Sequence, residues 1–292
     1  MPAQCGGLEF FMNKIKITAD STCDLSTELL KLYDIDITPL YINTDNGSFK
    51  DGVDIRPDDI YEYVNKNKKI PKTAACTVAD YEKIFEKWTS LGYDVVHINL
   101  SLGFSCTHQN AKIAAESFDN VFVVDSRNLS SGSGHIVIEA AKLAQKGFNA
   151  GEIFEAMNKL TEKIEASFVI NTLDYLHMGG RCSSIAALGA NLLKLKPCIE
   201  VKDGLMNVGK KYRGNYINCI QQYVDDRLSG RDDIVADRIF ITHTGCDKDI
   251  VDAVKAKIAE HIQFNEVIET IAGCTITNHC GPYTLGILFI RK

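Results

Sequence analysis

Two short segments carry side chains whose types and positions suit the binding of an anion. In SLGFSCTHQNAKIAAE (101–116), Ser105 and Cys106 stand between an apolar run and a helical stretch, so both are predicted at a helix N-terminus. Unpaired N–H groups and the helix dipole favour an anion at that place. The alternative is that the hydroxyl of Ser105 or Thr107 only caps the helix.

Thr73 and His279 are the other candidates for contact with a polar ligand. In PKTAACT (71–77), Thr73 is predicted in a loop just before a capped helix, where its hydroxyl is free to donate. In TITNHCGPYTLGILF (275–289), His279 is predicted at a strand end before a Gly-Pro bend. Ordinary turn chemistry for the threonine and a structural hydrogen bond for the histidine are the alternatives.

Two glycine-rich segments do not have the pattern of a nucleotide-binding loop. DSRNLSSGSGH (125–135) and HMGGR (177–181) match no G-x-G-x-x-G, and no Gly-Lys-Ser/Thr follows either of them. Cys274, His279 and Cys280 also lack the spacing of zinc ligands. The sequence therefore predicts no ATP or dinucleotide site, no metal and no bound cofactor.

Composition and charge narrow the class of protein. The 292 residues include 32 Lys+Arg and 38 Asp+Glu, a net charge of −6, with 45% apolar and 24% charged residues. These are globular averages, and the length suggests one large or two ordinary domains. The acidic balance and the lack of a basic run argue against nucleic-acid binding. No apolar stretch approaches about 18 residues, so an integral membrane protein is not expected.

The N-terminal segment and the cysteines bear on the compartment. Residues 1–13 lack a basic start, a long apolar stretch and a cleavage site, so they are predicted to be a tag or a disordered tail rather than a secretion signal. Ten cysteines are scattered singly with no C-x-x-C pair. Free thiols in a reducing cytoplasm are therefore expected.

Residues 14–165 alternate short β-branched runs with amphipathic helical segments. Such alternation favours a doubly wound, mostly parallel α/β domain. Predicted strands are Lys14–Asp20, Ile35–Ile42, Asp94–Leu100 and Asn120–Ser126. Predicted helices begin at Pro57 and at the Thr77–Asp80 capping box, the latter running to about Trp88, and two more cover about His135–Lys146 and Gly151–Ile164.

Residues 166–292 mix hairpins with helices, which indicates an α+β domain with a mixed or largely antiparallel sheet. An Asp203-Gly204 turn predicts a hairpin over 197–212. Strands are predicted at Ser167–Asn171, Arg238–Thr242, Glu266–Ile276 and Thr284–Ile290, and helices at Ser183–Leu193, Asn215–Leu228 and Asp247–Glu260. The cleft between the two predicted domains is the expected ligand site.

Seven motifs in order make Lys14–Lys292 resemble the DegV family, bacterial proteins that bind fatty acids. TADSTCDL is similar to that family's D-S-x-x-D-L, PKTAACT to P-x-T-S-Q-P-S, and SLGFSCT to S-S-x-x-S-G-T. DSRNLSSGSG fits D-S-x(5)-G-x-G, and TLDYLHMGGR fits T-L-x-Y-L-x-x-G-G-R. LKPCIEVKDG resembles the K-P-I segment, and HCGPY resembles H-x-G-P-G.

The resemblance implies a two-domain α/β protein that holds a long-chain fatty acid between its domains. The hydroxyls matching Thr73 and Ser105 would bind the carboxylate, with Cys106 at the helix start and His279 as a third donor. The resemblance further implies that the carboxylate is presented to a separate ATP-dependent fatty acid kinase, which makes an acyl-phosphate. This protein is then a carrier and not an enzyme. Arg181 and Arg213 would contact the head group or the kinase, or are ordinary exposed arginines.

Several residues depart from the family motifs beside these hydroxyls. They bear on acyl-chain preference and carboxylate geometry, because the two hydroxyls themselves are retained. The departures are Ala74, Cys76, Leu102, Cys106 and Tyr283.

Two alternative functions stay open from the sequence. Ser105 could be the nucleophile of a serine hydrolase acting on an acyl ester, although the residue at 107 is Thr and breaks G-x-S-x-G. Its base would be His108, His243 or His279. The other alternative is a binding protein for a different amphipathic anion, or a regulatory module.

Overall fold

The structure, a computed structural model, describes residues 14–182 and 195–292; the tail 1–13 and the predicted helix Ser183–Leu193 lie outside them. The strands are β1 (Lys14–Asp20), β2 (Asp36–Thr38), β3 (Tyr41–Thr44), β4 (Gly47–Lys50), β5 (Lys72–Ala74), β6 (Tyr93–Asn99), β7 (Val121–Asp125), β8 (Ile164–Val169), β9 (Leu195–Lys202), β10 (Leu205–Arg213), β11 (Ile234–His243), β12 (Glu266–Ile271) and β13 (Leu285–Arg291). The helices are α1 (Thr27–Leu32), α2 (Pro57–Asn67), α3 (Val78–Thr89), α4 (Thr107–Ala115), α5 (Ser130–Gln145), α6 (Ala150–Leu160), α7 (Asp174–Gly179), α8 (Tyr216–Leu228), α9 (Lys248–His261) and α10 (Cys274–Cys280). None of the helices within those two ranges has the length and apolar content that crossing a bilayer requires.

The first sheet is fully parallel, in the order β2-β1-β6-β7. Successive residues of β6 from Val95 to Ile98 are all buried, so both faces of this sheet are covered. Helices α3 and α4 contact each other and the sheet, as do α5 and α6. The predicted doubly wound parallel arrangement is confirmed.

A separate mixed sheet has the order β10-β9-β8-β13-β11-β12, antiparallel except for β11 beside β12. Helix α5 contacts β1 and β6 of the first sheet and β8 and β13 of this one, so it lies between the two sheets. A Cβ at Gly134 would lie 2.8 Å from the Cys23 carbonyl oxygen. Glycine therefore lets α5 approach the end of β1 closely, which gives the glycine-rich 125–135 segment a packing role.

A third sheet, three-stranded and antiparallel in the order β4-β3-β5, was not predicted from the sequence. The single strand predicted for Ile35–Ile42 is wrong, since β2 joins the parallel sheet and β3 joins this one. Pro39 lies between them and has no N–H to continue a ladder. Thr73, predicted in a loop, lies on β5 opposite Ile42.

Helix α10 replaces the end of the strand predicted for Glu266–Ile276. The β-branched run in this segment favours a strand locally. Two buried aspartate side chains decide otherwise: Asp24 accepts from the Gly273 N–H, and Asp51 accepts from the N–H groups of Cys274 and Thr275. Consequently His279 lies on a helix and not at a strand end.

Helices α1 and α7 were not predicted, and the other predicted elements differ from the structure at their ends. Helix α5 begins five residues before the predicted His135, because its glycine-containing first turns are buried between the sheets. Helix α6 ends at Leu160, and β8 covers Ile164–Val169 instead of Ser167–Asn171. The capping box of Thr77 with Asp80 and the hairpin turn at Asp203-Gly204 are confirmed. The domain limits 14–165 and 166–292 stay predictions.

Candidate functional site

A cavity of about 340 Å³ lies at the end of β6, where Leu100 is part of its wall. In open parallel sheets, ligands bind beyond the carboxyl ends of the strands, near the point where the strand order changes direction. The cavity wall combines residues of both sequence halves and is mainly apolar. Its lining residues are Leu40, Thr73, Ala74, Ala75, Leu100, Phe104, Ser105, Cys106, Leu129, Leu176, Arg181, Met206, Thr275, Ile276, His279 and Cys280.

Ser105 lies in the loop between β6 and α4, one residue before the N-cap Cys106. Its Oγ accepts a long 3.3 Å hydrogen bond from the Thr107 N–H, so it contributes a cap and still faces the cavity. Cys106 is exposed and also lines the cavity. The Ser105 hydroxyl and the helix start at Cys106 therefore place donors beside an anion held in the cavity.

The loop that carries Ser105 is fixed at its start by contacts from two directions. Asp20 at the end of β1 accepts from the Leu100 N–H at 2.9 Å. Ser101 donates to the Gly204 carbonyl at 2.9 Å, which ties the loop to the turn between β9 and β10. The second contact joins the parallel sheet to the mixed sheet beside the cavity.

Thr73 is positioned by residues that lie more than two hundred positions away in the chain. Its Oγ1 is 2.9 Å from Nε2 of His279. Asn278, the preceding residue on α10, donates to the Pro71 carbonyl at 3.1 Å. Helix α10 thus holds both the Thr73 side chain and the backbone just before it.

The His279 imidazole is neutral at physiological pH. Burial, and then the charge of Arg181, lowers its pKa to about 4. Its Nδ1 is buried and has no hydrogen-bond partner within the described residues. A Cβ at Gly179 would lie 2.2 Å from Nδ1, so this ring position requires glycine in the GGR motif. When Nε2 carries the proton and donates to Thr73, the threonine hydroxyl is free to donate to a ligand.

The two predicted arginines differ in position. Arg181 lines the cavity and donates to the Gly179 carbonyl at 2.8 Å, and no acidic side chain of the described residues pairs with it. Arg213 is exposed at the end of β10, opposite Leu195, and does not line the cavity. Five of the six predicted site residues therefore meet in one cavity; the role of each stays a prediction.

The three histidines proposed as the base of a serine hydrolase, all within the described residues, form no hydrogen bond with the Ser105 hydroxyl. His279 contacts Thr73, and His243 pairs with Glu269 at 3.3 Å. His108 lies on α4, whereas Ser105 lies in the loop before that helix. Within residues 14–182 and 195–292, no histidine forms a hydrogen bond with the Ser105 hydroxyl.

The cavity borders a second, much smaller void on the side of the mixed sheet. A void of about 20 Å³ shares Leu129, Ile276 and Cys280 with the cavity and reaches Phe168 and Leu288 of the mixed sheet. These residues were missed by the sequence reasoning. Positions 275, 276, 279 and 280 have the i, i+4 spacing of one helix face, a signal that was hidden because the segment was interpreted as a strand.

Asp24 is a buried carboxyl group close to this site. It accepts from the Ser130 hydroxyl at 2.6 Å and from the Gly273 N–H at 2.8 Å. Burial raises its pKa to about 7, and the negative charge of Asp51 acts in the same direction against these hydrogen bonds. Between about pH 4 and pH 7, the folded protein therefore retains a proton on Asp24 that the unfolded chain has lost.

We expect the D24N variant to gain stability relative to the wild type as the pH rises. Between roughly pH 4 and 7 the folded carboxyl binds a proton and the unfolded one does not, so wild-type stability falls by about 1.4 kcal/mol per pH unit from this group. Urea unfolding of both proteins at pH 5, 6, 7 and 8 measures the difference. It should grow up to about pH 7 and then level off; a constant difference contradicts the assignment.

Comparison with known proteins extends over nearly the whole chain. The model of the family described as "Uncharacterised protein, DegV family" matches residues 14–292. A DegV domain-containing protein from Caldanaerobacter subterraneus subsp. tengcongensis is 31% identical over 283 residues, which is 96% of this chain and 100% of that protein.

Two solved structures are similar to this chain in fold. A DegV family protein from Thermus thermophilus, described as binding fatty acid, superposes with a TM-score of 0.86 at 26% identity, covering 96% of this chain and 100% of that one. A stearic acid-binding protein from Eubacterium ventriosum superposes with a TM-score of 0.80 at 26% identity, covering 95% and 98%. Both similarities include the parallel and the mixed sheet.

Proposed function

The chain belongs to the DegV family, and on that basis we propose that it binds a long-chain fatty acid and presents the carboxylate to a separate ATP-dependent fatty acid kinase. The observation that carries this proposal is the cavity, whose apolar wall includes two hydroxyls, Thr73 and Ser105, from separate elements. In the proposed reaction the partner supplies ATP and forms the acyl-phosphate, and this protein is the carrier.

The acyl tail supplies most of the binding free energy. About fifteen methylenes at roughly 0.8 kcal/mol each give about 12 kcal/mol of gross transfer energy. Ordering of the chain and loss of translational freedom remove a large part of this. The tail is proposed to fill the apolar part of the cavity, toward Leu129, Ile276 and Cys280.

The head group requires donors, because a carboxylate buried without partners costs several kcal/mol or becomes protonated. Thr73, Ser105 and the first N–H groups of α4 are neutral donors that satisfy it. His279, neutral at Nε2–H, holds Thr73 in the donating orientation. Neutral single donors leave carboxylate lone pairs accessible for phosphoryl transfer, whereas a bidentate arginine clamp occupies both oxygens.

Two further parts of the proposal concern the surroundings of the ligand. We place the ligand between the domains 14–165 and 166–292 and the protein in the cytoplasm. Exposed Arg213 is a contact for the kinase, while Arg181, which lines the cavity without an acidic partner among the described residues, lies nearer the head group.

We expect the purified native protein to carry a fatty acid. The apolar cavity retains a long-chain acid through purification, since its release exposes the whole tail to water. Organic extraction followed by mass spectrometry should recover close to one fatty acid per chain, and an unrelated protein purified from the same host provides the background. An empty extract, or an occupant that is not a lipid, contradicts the proposal.

A further inference from the structure

Asp51 is a buried carboxylate that none of the head-group contacts above uses. It is 3% exposed, and the parallel bridge it forms with Ile55 fixes its backbone beside α2. Its Oδ1 accepts from the Cys274 N–H at 2.8 Å. Its Oδ2 accepts from the Thr275 N–H at 3.1 Å, from the Thr275 hydroxyl at 2.6 Å and from the Ser21 hydroxyl at 3.2 Å. Four donors thus converge on one side chain.

Three of these donors belong to the first turn of α10. The N–H groups of this turn have no partner inside the helix. A carboxylate placed there accepts hydrogen bonds from them, and its negative charge interacts favourably with the positive end of the helix dipole. Since the local sequence favours a strand, Asp51 is a principal reason that 274–280 is helical at all. A residue from the first half of the chain thereby sets the conformation of a segment near its end.

The other end of α10 acts on the head-group hydroxyl. His279 contacts Thr73, and Asn278 donates to the Pro71 carbonyl. Helix geometry couples the two ends, because Thr275 and His279 are one turn apart on the same face and both line the cavity. A shift of the first turn therefore moves the imidazole that orients Thr73.

We infer that Asp51 is a positioning residue for carboxylate recognition, acting through α10 and His279 on Thr73. The inference rests on the proposed function, since it assigns the head-group end of that same cavity. Asp51 does not line the cavity, so it acts on the ligand only through α10. Replacing the Asp51 carboxylate should weaken binding of a fatty acid more than binding of a neutral ligand with the same tail.

The test compares hexadecanoic acid with hexadecan-1-ol, which has the same tail and a neutral head. We expect D51N to lower the preference of the delipidated protein for the acid over the alcohol by roughly tenfold or more, the value of a hydrogen bond to a charged group. A purely structural role would weaken both ligands equally and leave the ratio unchanged. That equal weakening overturns the inference.

A second variant keeps the test decisive if D51N does not fold. N278A leaves Asp51 in place but removes the hydrogen bond from α10 to the Pro71 carbonyl, and it should lower the same ratio. E152Q is the matched control, because it removes a helix-capping carboxylate of α6 away from the cavity and should leave the ratio unchanged. If the wild type binds neither ligand, the proposed function fails. If the wild type prefers the acid and a folded D51N retains that preference, or D51N does not fold and N278A retains it, only the role of Asp51 fails.

Discussion

The double variant T73V/S105A is expected to bind hexadecanoic acid roughly 10²–10⁴-fold more weakly than the wild type, since each hydrogen bond to a charged group contributes about 1.5–3 kcal/mol. Valine keeps the shape of threonine on β5, and alanine at position 105 leaves the N-cap Cys106 in place. The apolar part of the cavity is untouched, so the loss isolates the head group. Displacement titration of a fluorescent fatty acid measures the affinity.

T44V/S48A is the matched control for this variant. Thr44 and Ser48 belong to the same small sheet as Thr73 and lie outside the cavity lining, so removing their hydroxyls should leave the affinity unchanged. A T73V/S105A protein with wild-type affinity that also supports wild-type acyl-phosphate formation by the partner kinase would show that these hydroxyls do not hold the carboxylate.

The I276W variant is expected to remove the dependence of affinity on acyl-chain length. Ile276 lines the cavity where the tail is proposed to lie, so a larger side chain there takes up the space of the methylenes farthest from the head group. At roughly 0.8 kcal/mol per methylene, wild-type affinity rises about fourfold for each carbon added. We expect hexadecanoic acid to bind the variant about 100-fold or more weakly and octanoic acid to bind almost as before.

Affinities for a series of saturated acids from eight to eighteen carbons measure this effect. I113W serves as control, because Ile113 is a half-exposed residue of α4 that does not line the cavity. A chain-length series for I276W that parallels the wild type would mean that the tail leaves the cavity by another route.

Local sequence determined those parts of the fold whose stabilising contacts are local or periodic. Apolar runs predicted the parallel strands because both faces of that sheet are covered, as the buried residues of β6 show. The Thr77–Asp80 capping box and the Asp203-Gly204 turn were correct because each is set by residues within four positions. The hydroxyls Thr73 and Ser105 were singled out from family motifs together with their predicted places beside helix starts.

The sequence failed where a distant group overrides a local preference. The run that ends at Ile276 favours a strand, but the carboxylate of Asp51, about 220 positions earlier, supplies acceptors for a helix start. Ile35–Ile42 has the pattern of one strand, but it divides at Pro39 between two sheets. Neither a contact between a carboxylate and a distant helix start nor the sheet that a strand joins produces a periodic pattern of residues in the sequence.

By itself, then, the sequence determined which chemical groups are present and which secondary structure most segments prefer, because short-range hydrogen bonds and burial patterns decide both. Only the tertiary structure decided that Thr73 meets His279 across 206 positions, that Ser105 faces the same cavity, and that Arg213 does not. The physical reason is that a binding site forms from side chains brought together by packing between layers. Such convergence depends on long-range contacts that no single segment encodes.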